Sequence, residues 1–349
     1  MKDDGKKNHY GVLGAGMCLA AFLGFSACYG TAAATETAPD KAAVQDCLLK
    51  ALENAPGGMT VDELRIRCKA EKMAAAKDQK DAGIIEARIY TDDENVLRPF
   101  TLMAHRPNYI LLANYNADPN NEPWREATGD PDFELDNVEA QFQVSIKVPL
   151  AVDLFNEKMD IFAAYTVRSY WQVYNSDISA PFRETNYEPE AWLQFRNDWS
   201  FWGIKNSVNM FGFVHQSNGR NEPISRSWNR IFANFVFEKG NLVFAIKPWY
   251  RIPDDDDDDN NPDLTDYMGH YEIRAAYKWK GNTFAVMSRN NLESGFSKGA
   301  VEATWSFPLW DYKYLKGYIQ GFTGYGQSLI DYNSYESSVG IGFAITDWL

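Results

Sequence analysis

The sequence predicts an all-β chain: a transmembrane antiparallel β-barrel of about twelve strands, preceded by a short α-helical N-terminal extension. Three observations carry this prediction. The composition is aromatic yet polar on average, side chains alternate with a period of two from about residue 98 onward, and short and long connections follow each other in order. Aromatics make up 15% of the 349 residues, with 11 Trp, 19 Tyr and 21 Phe. The mean hydropathy of -0.43 is too polar for a bundle of membrane helices. A barrel reconciles the two, because each spanning strand hides only every second side chain in lipid. A soluble β-sandwich has a similar average, so composition by itself leaves both open.

The alternation is plainest in three segments. Val138, Ala140, Phe142, Val144, Ile146 and Val148 alternate with Glu139, Gln141, Gln143, Ser145 and Lys147. Tyr271, Ile273, Ala275, Tyr277 and Trp279 alternate with Glu272, Arg274, Ala276 and Lys278, and Val339, Ile341, Phe343 and Ile345 with small or polar residues. Each is close to the roughly 9–11 residues that a tilted strand needs to cross the hydrocarbon. A sandwich shows the same pattern. Connection lengths separate the two folds. Glu238-Lys239-Gly240-Asn241, Lys280-Gly281-Asn282 and Pro308-Leu309-Trp310-Asp311 are tight. Longer polar connections fall near 175–187, 217–228, 252–266, 290–298 and 325–335. That order suits turns on one side of a membrane and loops on the other. An even strand number then closes the sheet without an edge.

Before the barrel the sequence changes character twice. Lys2, Lys6 and Lys7 precede an apolar stretch that ends in small residues, which predicts an export signal over 1–34 cleaved after Ala32 or Ala34. A competing reading is a lipoprotein signal at Phe25-Ser26-Ala27-Cys28, with Phe25 where leucine is expected. Residues 35–97 then form an expected periplasmic helical hairpin and linker, and 98–349 the barrel. Ala55-Pro56-Gly57-Gly58 breaks the hairpin and Thr60 can cap its second helix. In an oxidising compartment a Cys47–Cys68 disulfide would staple it. The net charge of -14 argues against a nucleic-acid partner, which needs clustered Lys and Arg.

The strongest chemical signal is Val214-His215-Gln216-Ser217-Asn218-Gly219-Arg220, followed by Ser225-Arg226-Ser227-Trp228-Asn229-Arg230. Residues two apart on a strand share a face, so His215 can take the proton of Ser217. Asn229 opens the next strand and falls near His215 across one hairpin. Its carbonyl can orient the imidazole, as a carboxylate does in serine hydrolases, with less stabilisation of the imidazolium. Asn229 shares parity with Ile231, Ala233, Phe235 and Phe237, which puts the trio on the lipid side. By spacing alone, a polar loop rim is the plainer reading.

With these residues in place, the sequence resembles the outer-membrane phospholipase A family. The match is carried by Tyr170-Trp171-Gln172, Asn175-Ser176, the run from Pro181 to Pro189, the run from His215 to Arg230, Lys247-Pro248-Trp249-Tyr250, Asn261-Pro262-Asp263 and Ser328-Leu329-Ile330-Asp331-Tyr332-Asn333. The resemblance implies a twelve-stranded outer-membrane barrel and calcium-dependent hydrolysis of phospholipid acyl esters. It assigns Ser217 as nucleophile, His215 as base and Asn229 as orienting residue. It also implies a calcium ion shared across a homodimer, held by the carbonyl of Arg220, the hydroxyl of Ser225 and the partner subunit's Ser179. Two positions depart from the family pattern: Val167 replaces a polar glutamine on the dimer face, and Ala180 replaces a serine beside Ser179. The alternative from another class is a non-catalytic porin or adhesin barrel.

Two further motifs read as decoys. Gly295-Phe296-Ser297-Lys298-Gly299 fits the lipase Gly-x-Ser-x-Gly pattern, which works only as a strained turn from strand to helix. Here it lies between strand-like segments. The acidic run from Asp254 to Asp259 lacks the spacing of an EF-hand loop and reads as a solvated loop. His9 lies in the signal, while His105 and His270 have no adjacent nucleophile and read as interfacial or wall residues.

Overall fold

The alternation folds as a closed wall. In the computed structural model, which describes residues 47–52, 59–77, 83–96, 102–255, 259–310 and 312–349, twelve long strands form one sheet. In chain order they are β2 (Asn108–Asn116), β3 (Val138–Asp153), β4 (Met159–Trp171), β5 (Phe182–Arg196), β7 (Ile204–Ser217), β8 (Ser227–Lys239), β9 (Leu242–Ile252), β10 (Tyr271–Trp279), β11 (Asn282–Asn290), β12 (Gly299–Leu309), β13 (Tyr312–Tyr325) and β14 (Tyr335–Thr346). Two-residue strands β1 (Met103–Ala104) and β6 (Ser200–Phe201) flank them. Each long strand pairs antiparallel with its chain neighbour, and β14 pairs back onto β2, so no edge remains. Residues 1–46, with the expected signal and both candidate cleavage sites, lie outside the described residues.

Connections sort as expected. One end carries 154–158, 197–203, 240–241, 280–281 and 310–311; the other carries 117–137, 172–181, 218–226, 253–270, 291–298 and 326–334. Lys280 and Gly281 both adopt positive φ, the twist a two-residue hairpin requires, and Trp279 pairs with Asn282 across them. The loop at 117–137, which contains α4 (Glu122–Thr128), is one the spacing did not reveal.

The two faces of the wall differ as the period demands. On β3, Glu139, Gln141, Gln143, Ser145 and Lys147 are buried in the lumen while Val144 and Val148 are exposed outward. The interior is therefore polar and must pair with itself. Arg183 donates to both oxygens of Glu139 (2.7 and 2.9 Å) and to Asp331 (2.8 Å), all three buried. Nearer the middle, Arg106 bridges Glu188 (2.8 Å) and Glu190 (2.7 Å), and Glu190 also meets His105 at 2.7 Å. His105 is thus a lumen residue, its ring tilted against Trp192 at 4.9 Å between centroids. Charged residues line a lumen cavity of about 300 Å³.

Among the described residues, three helices precede the wall: α1 at 47–52, α2 (Val61–Lys77) and α3 (Ile84–Val96). A Cys47–Cys68 disulfide joins the first two. Thr60 and Glu63 cap α2 reciprocally, with Thr60 N–H donating to Glu63 (2.6 Å) and Glu63 N–H to Thr60 Oγ1 (3.2 Å). Helix α3 stands where the sequence suggested only linker. It reaches many strands at their turn ends: Ile85 N–H to Glu238 (3.0 Å), Lys147 to Asp92 (2.5 Å), Arg196 to Asp93 (2.7 Å) and Arg88 to the carbonyl of Trp348 (2.7 Å). Ile84, Ile85 and Ile89 pack on Val208, Val236 and Val243. The helix thereby spans the turn end of the lumen.

The Arg183 trio gives a stability prediction. Arg183→Ala strips the cation from two buried carboxylates and should destabilise the barrel by about 3–5 kcal/mol. The urea midpoint of the refolded protein measures this, and an unchanged midpoint would remove the trio from the interactions that hold the loop end together.

Candidate active site

Strand β7 decides which way the site faces. Phe211 and Phe213 are 43% and 45% exposed, whereas Val214 between them and His215 is 0% exposed. Odd-numbered residues therefore point outward, and His215 and Ser217 share that side. On β8, Ile231 is exposed while Trp228 and Arg230 are buried, so Asn229 also points outward. All three residues thus stand on the outward face of the wall, a direction the β7 sequence alone left ambiguous.

Register brings the trio together. His215 stands directly opposite Asn229, and Ser217 opposite Ser227. The imidazole Nδ1 lies 2.9 Å from Asn229 Oδ1. An amide oxygen only accepts, so Nδ1 must carry the proton and Nε2 is left free as the basic nitrogen. Among the described residues no hydrogen bond joins Ser217 to His215; such contacts are often long before substrate binds. A hydroxyl, a base with one fixed tautomer and an orienting amide can together carry out nucleophilic acyl transfer.

The wall behind these residues is braced from the lumen. Gln216, between His215 and Ser217, accepts from Trp228 Nε1 (2.8 Å) and Arg230 (3.3 Å). The Arg230 guanidinium carbon lies 3.8 Å from the centre of the Trp228 ring, and Arg230 reaches Glu188 at 3.3 Å. The same β7–β8 hairpin is thus locked on its inner face where it presents the trio on its outer face.

The loop at 218–226 is built around Asn218, which is buried. Its Oδ1 accepts from the backbone N–H of Arg220 (3.3 Å) and Arg226 (3.0 Å), and its Nδ2 donates to the carbonyl of Ile224 (2.7 Å). This loop holds two of the three expected calcium donors, Arg220 and Ser225. Ser225 Oγ accepts from Asn260 Nδ2 at 2.9 Å. The third, Ser179, is exposed in the separate loop 172–181 with φ of 63°. Among the described residues no group of three or more His, Cys, Asp or Glu side chains is arranged to hold a metal. Carbonyl and hydroxyl oxygens are a different donor set, one that suits a hard cation such as calcium. Arg220 and Ser225 fit that chemistry within one loop beside Ser217.

The two decoys part company. Ser297 donates to the carbonyl of Ser294 (2.8 Å) in the loop between β11 and β12, with no helix after it. The acidic run, by contrast, is not simply solvated. Asp259 pairs with Arg251 through both oxygens (2.7 Å each), and Asp254 accepts from Asn229 Nδ2 at 3.3 Å. Residues 256–258 lie outside the described residues. Parity was the missed signal: Asp254 continues the outward series Tyr250, Ile252, and Ile252 stands opposite Asn229.

Comparison with known proteins agrees with this architecture. Residues 85–345 match the family described as Phospholipase A1. A phospholipase A1 of Klebsiella pneumoniae is 38% identical over 265 residues, covering 76% of this chain and 88% of that protein. The Salmonella typhi outer membrane phospholipase, solved as a dimer with bound calcium, superposes with a TM-score of 0.67 at 36% identity, covering 73% of this chain and 96% of that one. An active-site mutant of Escherichia coli outer membrane phospholipase A, with asparagine replaced by alanine, gives 0.66 at 35% identity, covering 72% and 94%. Fold and matches define the class, an ester-hydrolysing β-barrel enzyme of the bacterial outer membrane. The chain belongs to the phospholipase A1 family.

Proposed function

We propose that this chain hydrolyses phospholipid acyl esters, with Ser217 as nucleophile, His215 as general base and Asn229 as its orienting residue. The observation that carries the reading is the 2.9 Å His215–Asn229 contact on the same outward face as Ser217. Exposed Phe211, Phe213, Ile231 and Tyr250 surround that face, so an acyl chain still in the membrane can lie against the wall beside the hydroxyl.

In the reaction, Ser217 Oγ attacks the ester carbonyl carbon as His215 Nε2 takes its proton. The resulting imidazolium keeps its Nδ1–H on Asn229 Oδ1 and returns the other proton to the departing glycerol oxygen. A lysophospholipid leaves and the acyl group stays on Ser217. Water, deprotonated by the same imidazole, then attacks the acyl carbon, and the fatty acid departs as Ser217 recovers its proton. Asparagine brings no charge of its own, so it orients the imidazolium more than it stabilises it.

Calcium would be held by the Arg220 carbonyl and Ser225 hydroxyl, with the partner subunit's Ser179 completing the set in a homodimer. When bound, it supplies positive charge against which negative charge develops on the carbonyl oxygen. Proximity favours a dimer contact at this face. Val167 stands opposite Tyr187, and Tyr187 opposite Ser217, so only two strand spacings, about 10 Å, separate Val167 from the nucleophile. A valine offers packing there but no hydrogen bond, so association would rest on apolar contact.

Fatty-acid release by the refolded protein in detergent with calcium tests the reading. Ser217→Ala should lower turnover by more than about a thousandfold while leaving heat-modifiable gel migration intact; loss of activity in Ser297→Ala instead would overturn the nucleophile assignment. Asn229→Ala should cost only about 10- to 100-fold, the worth of one hydrogen bond to a charged group, and a loss as deep as that of Ser217→Ala would contradict an orienting role. Ser225→Ala should move the calcium titration to higher concentration, and a superimposable titration would take Ser225 out of the donor set.

A further inference from the structure

The orienting asparagine is itself held. Asp254 lies two residues beyond the end of β9, and its Oδ1 accepts from Asn229 Nδ2 at 3.3 Å. Asn229 Oδ1 meets His215 Nδ1 at 2.9 Å on the other side of the same amide. An ionised carboxylate can only accept, so it dictates which end of the amide turns toward it. The NH₂ group must face Asp254, and the oxygen is thereby aimed at the imidazole.

The carboxylate is in turn restrained. Its Oδ2 lies 3.8 Å from Arg251 Nη2, and its side chain is 25% exposed. Arg251 is pinned by Asp259 through both carboxylate oxygens at 2.7 Å and donates to the carbonyl of Asn261 at 3.0 Å. The backbone sets the rest: Ile252, the last residue of β9, pairs with Asn229, and Asp254 follows two residues on. The next residue, Asp255, is exposed and serves as an internal contrast.

We propose that Asp254 is a positioning residue, which locks the Asn229 amide in its productive orientation and relays a negative charge toward the imidazole through that amide. Accepting from Nδ2 draws electron density onto Oδ1 and strengthens its bond to the imidazole N–H, most of all when the imidazolium forms. The chain His215–Asn229–Asp254 thus places a carboxylate one residue further back than in the serine hydrolases that use aspartate directly. The proposal rests on the Ser217 reading given above.

Fatty-acid release at saturating calcium tests it in the refolded full chain, with heat-modifiable migration as the check on folding. Asp254→Ala should lower kcat about tenfold, the worth of one lost charge-assisted hydrogen bond, with KM within about twofold. Asp254→Asn keeps an oxygen for Nδ2 but no charge, and should recover part of the loss. It also serves as the readout if the alanine variant does not fold. In the Asn229→Ala background, Asp254→Ala should cost nothing more, because its effect passes through the missing amide. Asp255→Ala should match the unaltered protein. Wild-type kcat in Asp254→Ala, full additivity with Asn229→Ala, or a displaced calcium midpoint with unchanged kcat would each overturn the proposal. If Ser217→Ala stays active, the site reading fails and takes this proposal with it. If Ser217→Ala is dead and Asp254→Ala fully active, only this proposal fails.

Discussion

The twelve long strands obey one constraint: a closed single-layer wall has lipid on one side and a polar interior on the other. Side chains alternate between them because a strand has a period of two. Any slip of one residue would put charge into hydrocarbon and phenyl rings into the lumen. The cost of such a slip fixes the register of all twelve strands, and register is what brings His215 opposite Asn229. The candidate site is therefore a by-product of the same rule that holds the barrel in the membrane.

The polar interior has consequences of its own. Buried charges are tolerated only when paired, and here they are paired across several strands at once: Arg183 with Glu139 and Asp331, Arg106 with Glu188 and Glu190, Arg230 with Glu188. Gln216 and Arg230 tie this network to the back of the hairpin that carries the outward trio. The lumen thus works as a frame for the outer face. Helix α3, anchored to strand ends by Ile85, Asp92 and Asp93, adds a brace at the turn end.

On the proposed reading, the outward trio and the loops above it would divide the chemistry between them. Strands supply His215, Ser217 and Asn229 with fixed spacing. The loop at 218–226, organised by Asn218, supplies Arg220 and Ser225, and is tied to the acidic loop through Asn260 and Ser225. Hydroxyl, imidazole and amide need no net charge at the lipid boundary, where an isolated carboxylate would be expensive. That boundary gives a physical reason for asparagine to stand beside the histidine and for the carboxylate that its amide meets, Asp254, to lie beyond the strand end.

Sequence alone settled whatever depends on periodicity. Alternating Val138 to Val148, the ordered turn and loop lengths and the shared face of His215 and Ser217 all follow from a two-residue repeat that needs no partner strand to be seen. Family motifs from Tyr170 to Asn333 added an expectation of the chemistry. Tertiary structure decided what depends on who stands next to whom. The outward direction of β7 needed the burial of Val214, since phenylalanine and methionine alternate there without a polar partner. Helix α3 could not be read from its neighbours in sequence, because its contacts are with Lys147, Arg196 and Glu238, far along the chain. Asp254 was hidden inside an acidic run, and only the pairing of Ile252 with Asn229 shows that its carboxylate meets the amide. Local pattern records which face a side chain takes; the partner across the sheet is fixed by closure of the whole wall, which no short stretch of chain contains.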